Sequence, residues 1–555
     1  MPFQSNVNSM KQITKKESSR LGHLKSEYDI IIIGGGITGA NVLWDATLRG
    51  YNCLLVEKND YASGTSQATS KLIHGGLRYL KNFEFGLVRE SLSERRYLAK
   101  ISPHSVRPMG FIIPIRSLFQ RILLFFGMEL YNALSFDRNR EIDADVQLPR
   151  YRWNSLGETI YKVLGLDRKS LKGSFQYYDY ANLNPEKHTT EFILSAKEKG
   201  AHAFNYLAVT ALKKQNSGGY TVGLTDSLTG KKVLVSTKVV VNSAGPWADV
   251  IESMTGVTAE KKLVRSKGIH AVVRNICGNE CAVLSKRDGS HLFVIPWRGK
   301  TIVGTTDTAY GDDPDAFKVK QSELVDLLDE VNYSFGFAKL TLKDVDYYYG
   351  GLRPLVEDPG STEGTYSASR KSEIFHYEKE GFPGFFSALG GKYTTSRAVA
   401  ENLVNAIDQY TKGQESSCAT KFTPLLGGRY QSLKELVNEI QLKFPKVAGA
   451  KLETLARRYG SVTWKILSVE GKDFYRIPNG EIYYEEEVEY MLTHEDIFHL
   501  TDFYFRRSGV GTVGLLDSTE RTRLDKKIAK ILGWNTDRLK EETKLVDERY
   551  KWFVD

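Results

Sequence analysis

A glycine turn near the start of the chain constrains the fold more than any other feature. The segment YDIIIIGGGITGANVLWDATLRGYNCLLVEKN at 28–59 has the pattern of a buried strand, a turn with Gly34, Gly36 and Gly39, a helix and a second apolar strand. Glu57 ends the second strand 23 residues after Gly34, where a carboxylate can accept hydrogen bonds from a ribose. The glycines permit a tight turn and close backbone approach to a pyrophosphate, which the helix N-terminus then faces. The segment therefore predicts a dinucleotide-binding βαβ unit in an α/β domain.

The composition is that of a folded protein with several domains. At 555 residues, with 41% hydrophobic and 26% charged residues, the chain predicts two to four domains and excludes a disordered protein. The net charge of +9 is mild and spread along the chain, so it does not indicate nucleic-acid binding. It suits an anionic substrate or an anionic membrane surface.

The four cysteines and the first residues of the chain indicate a reducing, cytoplasmic setting. Cys53, Cys277, Cys281 and Cys418 form no CxxC pair, which argues against a disulfide framework and against a zinc site, and no other metal site is expected. The first 27 residues are polar and basic, which predicts a flexible tail and excludes a secretory signal. Since no run of eighteen uncharged apolar residues occurs, no transmembrane helix is predicted.

The pattern along the chain predicts an interrupted architecture. Helical periodicity marks 86–100, strand patterns follow from 203 to 304, and a strand, glycine turn and helix return at 385–407 before a mainly helical end. We expect a tail at 1–27 and a discontinuous dinucleotide-binding domain at 28–105, 175–260 and 350–412. An inserted mixed β-sheet domain is expected at 106–174 and 261–349, and a helical C-terminal domain at 413–555.

Seven ordered segments carry a resemblance to a known family. They are GGGITG at 34–39, GTSQATSKLIHGGLRYL at 64–80, NSAGPWAD at 242–249, KGIHAVV at 267–273, FVIPWRGKTIVGTTDT at 293–308, GGLRPL at 350–355 and GGKYTTSR at 390–397. The chain resembles the FAD-dependent glycerol-3-phosphate dehydrogenases, within the wider group of D-amino-acid-oxidase-like flavoproteins. The resemblance implies an α/β fold, in which an interrupted Rossmann-like FAD-binding domain carries an inserted mixed β-sheet substrate domain and a helical C-terminal domain.

The resemblance also implies which residues hold FAD. The segment at 64–80 would pass beside the isoalloxazine ring, and the turn at 390–394 would close the site at the pyrimidine edge of the ring, where positive charge has a purpose. The implied cofactor-binding residues are Gly34, Gly36, Ile37, Thr38, Gly39, Glu57, Lys58, Ser63, Gly64, Thr65, Ser70, Leu72, His74, Gly75, Gly76, Val209, Ala244, Gly245, Trp247, Gly390, Gly391, Lys392 and Thr394.

The implied reaction is the oxidation of sn-glycerol 3-phosphate to dihydroxyacetone phosphate, by hydride transfer from C2 to N5 of FAD. A phosphate ester needs guanidinium or ammonium groups in its pocket. The implied substrate-binding residues are Arg78, Tyr79, Arg353, Arg370 and Lys392. A base must take the C2 hydroxyl proton, and His74 and His270 are both candidates, although nearby cations such as Arg353 and Lys392 also favour its loss.

Several alternatives stay open at this point. The segment 111–136 has an apolar face with Leu118, Phe119, Ile122, Leu123, Phe126 and Leu130, which fits a core helix as well as a helix lying in a membrane surface. Peripheral contact with the inner face of the cytoplasmic membrane, and a quinone as electron acceptor, would follow from the second interpretation. An oxygen-using oxidase, an amine- or amino-acid-oxidising flavoenzyme and a flavin-binding protein without turnover are further alternatives. The sequence leaves the oligomeric state open, with a homodimer as one alternative.

Overall fold

Two large β-sheets and a helical C-terminal region form the protein. The structure is a computed structural model, which describes residues 12–163, 165–257, 263–336, 338–357, 372–469, 471 and 473–553, without the side chains of residues 78, 81 and 82. The strands are β1 (Glu27–Ile33), β2 (Cys53–Val56), β3 (Leu72–Ile73), β4 (Val106–Ile115), β5 (Arg152–Asn154), β6 (Gly173–Asn182), β7 (His202–Phe204), β8 (Leu207–Lys214), β9 (Tyr220–Asp226), β10 (Lys232–Asn242), β11 (Leu263–Arg274), β12 (Cys281–Ser285), β13 (His291–Trp297), β14 (Lys300–Gly304), β15 (Thr308–Tyr310), β16 (Val345–Val356), β17 (Glu373–His376), β18 (Phe385–Leu389), β19 (Phe474–Arg476) and β20 (Ile482–Tyr484).

The α-helices connect and cover these sheets. They are α1 (Lys15–Ser19), α2 (Ile37–Leu48), α3 (Phe85–Ile101), α4 (Leu118–Leu134), α5 (Leu156–Lys162), α6 (Pro185–Glu198), α7 (Ala248–Ser253), α8 (Gln321–Ser334), α9 (Ser396–Lys412), α10 (Leu433–Lys443), α11 (Gly449–Tyr459), α12 (Thr463–Ile466), α13 (Glu485–His494), α14 (Leu500–Asp502), α15 (Ser518–Leu532) and α16 (Thr536–Glu548). A short π-helix, Phe503–Arg507, follows α14.

The first sheet confirms the predicted α/β fold. Its strand order is β17–β18–β10–β1–β2–β7, and the hairpin of β8 and β9 is joined to it through β10. The strands from β18 to β7 are parallel, and β1 is a run of isoleucines buried on both faces, as a covered parallel sheet requires. The helices α2, α6 and α9 pack together on one face. The carboxyl ends of β1, β2 and β10 therefore meet at one edge, where such sheets bind nucleotides.

The second sheet takes two segments that the sequence assigned to the first. Its order is β15–β11–β14–β13–β12–β4–β6–β3, with β16 beside β11 and β5 beside β6. Residues 175–182 lie in β6 and residues 350–356 lie in β16, so both segments pair within the second sheet, although the predicted division placed them in the dinucleotide-binding domain. Apolar alternation identifies a strand, but it does not say with which sheet the strand will pair.

The N-terminal segment differs from the predicted flexible tail. Residues 14–19 form a capped helix in which Thr14 accepts a hydrogen bond from the backbone of Glu17. The carboxylate of Glu17 is buried and lies 3.2 Å from the guanidinium of Arg538, while Lys16 Nζ donates to Leu492 O at 2.8 Å. In this described part of the segment, the polar side chains therefore dock on the C-terminal region, while residues 1–11 of the predicted tail lie outside the described residues.

Helix α4 turns a broad apolar face outward. Phe119 is 77% exposed, Leu123 61% and Phe126 66%, whereas Met128 and Tyr131 on the other side are buried. The interpretation of 111–136 as an ordinary core helix is therefore wrong for this face. Among the helices of the described residues, none is long and apolar enough to cross a membrane.

A buried group of ion pairs holds α9 against α2. Arg49, at the end of α2, pairs with Asp45 on α2 and with Asp408 on α9, at 2.8 and 2.9 Å, and all three side chains are fully buried. Since water cannot reach these charges, each depends on the others. The group joins segments that lie more than 350 residues apart in the chain.

We expect Arg49→Met to lower the free energy of unfolding by about 3–5 kcal/mol, because it leaves the buried Asp45 without its cation and Asp408 with only the partly exposed Lys412. Arg287→Met is the control, since Arg287 pairs with Asp329 at the surface, and its loss should cost about 0–1 kcal/mol. Urea unfolding followed by circular dichroism measures both variants. Equal midpoints would mean that the buried group does not hold α2 to α9.

Candidate active site

The glycine turn between β1 and α2 has the geometry of a phosphate-binding turn. Gly34 has a φ of +110°, and a Cβ atom there would lie 2.6 Å from the carbonyl oxygen of Ser243. A Cβ on Gly39 would lie 2.0 Å from the Gly34 oxygen, so the close approach of helix and strand requires glycine at both positions. Gly36 is the N-cap of α2, and Ile37 N donates to the Ser66 hydroxyl at 2.9 Å. The first turn of the helix, with Thr38, thus points its amides at the edge of the sheet.

Glu57 lies beside this turn. Its two carboxylate oxygens accept hydrogen bonds from Gly35 N at 2.7 Å and from Asn59 N at 2.9 Å. Burial raises the pKa of the Glu57 carboxyl, although these two hydrogen bonds oppose the rise. Carboxylate oxygens have further lone pairs, so the same group can accept from ribose hydroxyls. The turn and this carboxylate together fit the adenosine and pyrophosphate of a dinucleotide such as FAD.

Several other residues predicted to bind the cofactor surround the same edge. Leu207 N, at the start of β8 and two residues before Val209, donates to Glu57 O at 2.8 Å. Ala244 and Gly245 follow β10, and the backbone of Ala244 packs against Gly34. Lys58 Nζ lies 4.3 Å from the ring centroid of Trp247, which also contacts Gly64 closely. Leu72 is the exception, since its side chain is buried in the core beside the second sheet.

The loop at 63–70 is bound to the second sheet. The Thr65 hydroxyl donates to Leu352 O at 2.6 Å, and the Tyr349 hydroxyl donates to Thr69 O at 2.9 Å. The Ser70 hydroxyl lies 2.9 Å from His270 Nε2. These contacts place β16, with Arg353, and β11, with His270, directly against the predicted flavin loop. This loop begins at Ser63 and Gly64.

The HGG loop, residues 74–76, lies against the GGK turn, residues 390–392. His74 N donates to the Thr394 hydroxyl at 3.4 Å, and Lys392 Nζ lies 3.7 Å from the ring centroid of Tyr79. Gly390 and Gly391 both have positive φ, as does Gly76. The structure therefore brings together two segments that are more than 300 residues apart in the sequence.

The buried carboxylate of Asp179 holds the backbone of the HGG loop. Asp179 on β6 accepts a hydrogen bond from Gly75 N at 3.2 Å and from the Tyr131 hydroxyl at 3.0 Å, and it pairs with Arg95. A Cβ on Gly75 would lie 2.3 Å from the Tyr131 oxygen, so only glycine fits between the loop and this group. These supporting residues carry no sequence signal beyond their burial, and the sequence did not indicate them.

His270 is buried and neutral at the junction of the loop and the sheet. Its ring stacks on Tyr349 with a centroid distance of 4.9 Å, and its Nδ1 has no hydrogen-bond partner among the described residues. Burial, together with the nearby charges of Arg353 and Lys71, lowers the pKa of His270 to about 3. The imidazole is therefore neutral at pH 7 and can accept a hydrogen bond, but a pKa this low makes it a weak base.

Arg353 lies on β16 across from β11. Its Nη2 donates to the Thr305 hydroxyl at 2.8 Å, and its Nη1 donates to the Ser266 hydroxyl at 3.1 Å. Asp307 lies 3.5 Å away. The guanidinium is thus oriented by neighbours while its side chain is 24% exposed. The side chain of Arg78 and the whole of Arg370 lie outside the described residues, so the predicted cluster of four cations stays a prediction for those two.

No functional residue was predicted in the C-terminal region, yet two arginines there bind the loop that follows Glu57, which we call the cofactor loop. Asp60, three residues after Glu57, is buried, and it accepts a bidentate hydrogen bond from Arg507 at 2.7 and 2.9 Å and one from Arg506 at 2.5 Å. Arg506 also pairs with Asp502 at 2.6 Å. Both cations hold the pKa of the Asp60 carboxyl below its usual range, against the opposing effect of burial. The signal that could have found them is a pair of arginines inside the apolar run FYFRRSGV.

Comparison with known proteins agrees with this geometry. The chain matches the family of FAD dependent oxidoreductases over residues 29–397 and the C-terminal domain of alpha-glycerophosphate oxidase over residues 418–539. It is 37% identical to a glycerol-3-phosphate dehydrogenase of Synechocystis over 415 residues, 72% of this chain and 73% of that one. It is 32% identical to an aerobic glycerol-3-phosphate dehydrogenase of Staphylococcus aureus over 512 residues, 89% of each chain.

Solved structures share the fold. A glycerol-3-phosphate dehydrogenase from Bacillus halodurans complexed with FAD superposes with a TM-score of 0.75 at 26% identity, covering 98% of each chain. An L-alpha-glycerophosphate oxidase from Mycoplasma pneumoniae, with FAD bound, gives 0.53 at 17% identity over 73% of this chain and 99% of that one. At that identity the second match shows the fold alone.

We expect Asp60→Asn to weaken FAD binding by about tenfold or more, because an amide leaves the buried Arg507 without its carboxylate and Arg506 with Asp502 alone, and frees the loop that follows Glu57. The quenching of flavin fluorescence on titration into apoprotein measures the Kd. Asp408→Asn is the control, since it disturbs a buried ion pair at the opposite end of α2. If both variants bind FAD alike, Asp60 acts on global stability rather than on the cofactor loop.

Proposed function

This chain belongs to the family of FAD-dependent oxidoreductases, and we propose that it oxidises sn-glycerol 3-phosphate at C2 to dihydroxyacetone phosphate. Relatives that match most of its length have the name glycerol-3-phosphate dehydrogenase. The observation that carries the proposal is the convergence of Arg353, Lys392 and His270 on the two segments that flank the predicted flavin position. A site for a simple amine would not need two cations beside its base.

The residues for the cofactor are those of the glycine turn, Glu57, the loop at 63–76 and the turn at 390–394. FAD bound there would accept the hydride that leaves C2. The ammonium of Lys392 lies on the turn that would face the pyrimidine edge of the ring, where it would stabilise negative charge. Its distance of 3.7 Å from the centroid of Tyr79 keeps it close to the HGG loop.

Arg353 and Lys392 would bind the phosphate and orient the alcohol. Arg353 presents a planar guanidinium that is fixed by Thr305 and Ser266, so its direction is set before the substrate arrives. Positive charge beside the C2 hydroxyl lowers the pKa of that hydroxyl and thereby favours loss of its proton.

His270 is the proton acceptor that the geometry favours. It is neutral at pH 7, and its Nε2 lies 2.9 Å from the Ser70 hydroxyl at the edge of the flavin loop. Its low pKa makes it a weak base on its own, so we expect the negative charge of the bound substrate to raise that pKa before a proton from the C2 hydroxyl passes to Nε2, directly or through Ser70. His74 N donates to the Thr394 hydroxyl, so His74 also lies at the flavin site and its imidazole stays the second candidate for the proton acceptor.

We expect Arg353→Ala to keep FAD bound but to raise the KM for glycerol 3-phosphate by about 10- to 100-fold, because one charge-assisted contact is worth about 1.5–3 kcal/mol. Steady-state kinetics with an artificial acceptor measures KM, and the yellow colour of the purified protein reports FAD. Arg274→Ala, at the exposed end of β11, is the control and should leave KM unchanged. Unchanged kinetics of the Arg353 variant would place the phosphate elsewhere.

Anaerobic addition of glycerol 3-phosphate to the wild-type holoprotein tests the reaction itself. The yellow colour should bleach, and subsequent addition of a quinone should restore it faster than oxygen does. Fast reoxidation by oxygen with stoichiometric peroxide would favour an oxidase instead. A colour that persists with this substrate would remove the proposed reaction.

We also propose that the electrons pass from FAD to a quinone in a membrane, and α4 supports this proposal. An apolar face that contains Phe119, Leu123 and Phe126 costs free energy in water, and Arg116 and Arg121 flank it, as in helices that lie in the plane of a membrane surface. The Arg121 guanidinium packs on Trp153 at 4.0 Å from the ring centroid, which keeps it beside the face. A protein docked by this helix would receive its quinone from the same membrane.

We expect the triple variant Phe119→Ser, Leu123→Ser, Phe126→Ser to lose binding to vesicles of phosphatidylcholine and phosphatidylglycerol by at least about a hundredfold, since each buried apolar side chain contributes about 1.5–3 kcal/mol. Flotation measures the bound fraction. Leu442→Ser, which removes an 84% exposed leucine on α10, is the control. A wild-type protein that ignores vesicles but dimerises through α4, as sedimentation would reveal, would make this face a contact between two copies.

A further inference from the structure

A cavity of about 330 Å³ lies where the C-terminal region meets α6 and the second sheet. Its walls come from the start of β4, from α6, from the turn after β13 and from α11 and α13. The glycine turn, the loop at 63–80, Arg353 and the turn at 390–394 do not line it. Its volume falls in the range of small-molecule sites, which lie preferentially between domains.

The cavity walls are basic. Lining arginines and lysines outnumber lining carboxylates six to three. Lys187 pairs with Glu495 at 2.6 Å and Arg298 pairs with Glu481 at 2.8 Å, while Arg507 pairs with Asp60 behind the wall. Most of the positive charge is therefore already neutralised by the protein.

Arg107 differs from these cations. Its guanidinium donates to Val106 O at 2.7 Å and to Arg457 O at 2.8 Å, and the structure gives it no carboxylate partner among the described residues. Burial lowers its pKa, and the charges of Asp145 and Asp143 offset only part of this effect. A guanidinium has five N–H donors, so carbonyl contacts leave some of them for a ligand.

A second polar group in the wall has no partner. Tyr490 is 5% exposed, and in the described structure its hydroxyl makes no hydrogen bond, although its ring stacks on His494. Since Tyr490 lines the cavity, its hydroxyl can donate to a ligand there. The hydroxyl lies close enough to Glu191 and Glu495 for their charges to raise its pKa further than burial alone does. Tyr459 and Leu194 supply apolar surface beside these groups.

We propose that this cavity binds a small organic anion. Its charged group is neutralised by Arg107, it offers an acceptor to the Tyr490 hydroxyl, and its apolar body packs on the tyrosine and leucine side chains. The ligand bridges β4 and α6 to the C-terminal region. Arg507 belongs both to the cavity wall and to the group that holds Asp60, so this one side chain connects the cavity to the loop after Glu57.

Calorimetric titration of the holoprotein with phenyl phosphate tests the proposal, since this probe combines a dianion with an aromatic ring. The titration uses the Arg353→Ala background, in which the substrate pocket is impaired. Saturable binding is expected, and adding Arg107→Gln should weaken it about ten- to a hundredfold, with Tyr490→Phe weakening it about three- to tenfold. Arg107→Lys, which keeps the charge, should stay within about threefold of the parent, and Arg287→Gln at the surface should change nothing.

Three outcomes would overturn the proposal. One is the absence of saturable binding, and another is binding that Arg107→Gln leaves intact. The third is equal binding of benzyl alcohol, which is neutral and would show that the cavity does not select an anion. None of these results bears on the oxidation of glycerol 3-phosphate, which the kinetics of the Arg353 variant test separately.

Discussion

The buried carboxylate of Asp60 is the constraint on which the arrangement of this protein depends. It follows Glu57, the proposed ribose-binding residue, by three residues, and the guanidinium groups of Arg506 and Arg507 hold it from the C-terminal region. These buried charges are stable only while they stay together. The helical region therefore cannot separate from the loop after Glu57 without leaving charges unpaired, which ties that region to the proposed cofactor site.

The rest of the flavin loop is fixed by contacts from several directions. Tyr349 and Leu352 of β16 bind it on one side, Thr394 of the late turn binds it on another, and Asp179 supports it from below. Each of these hydrogen bonds contributes only about 0.5–1.5 kcal/mol. Together they take up backbone groups that a mobile loop would expose to water, so the ring position is set before the cofactor binds.

Helix α4 belongs to the same rigid unit. Its outer face is apolar and exposed, whereas on its inner face the Tyr131 hydroxyl donates to Asp179, the carboxylate that also accepts from Gly75. Only one carboxylate separates the proposed membrane surface from the HGG loop. Docking through α4 would therefore fix the direction in which the site faces the membrane.

The sequence by itself determined the βαβ unit, the place of Glu57 and the identity of His270, Arg353 and Lys392 as candidates, because glycine spacing and strand pattern are local features. It could not determine that β6 and β16 join the second sheet, that residues 14–19 dock on the C-terminal region, or that α4 faces outward. It also missed Asp60, Asp179, Arg506 and Arg507. Partners such as Asp60 and Arg507, which lie 447 residues apart, become neighbours only when the chain has folded, and pairing of buried charge leaves no periodic trace in a sequence.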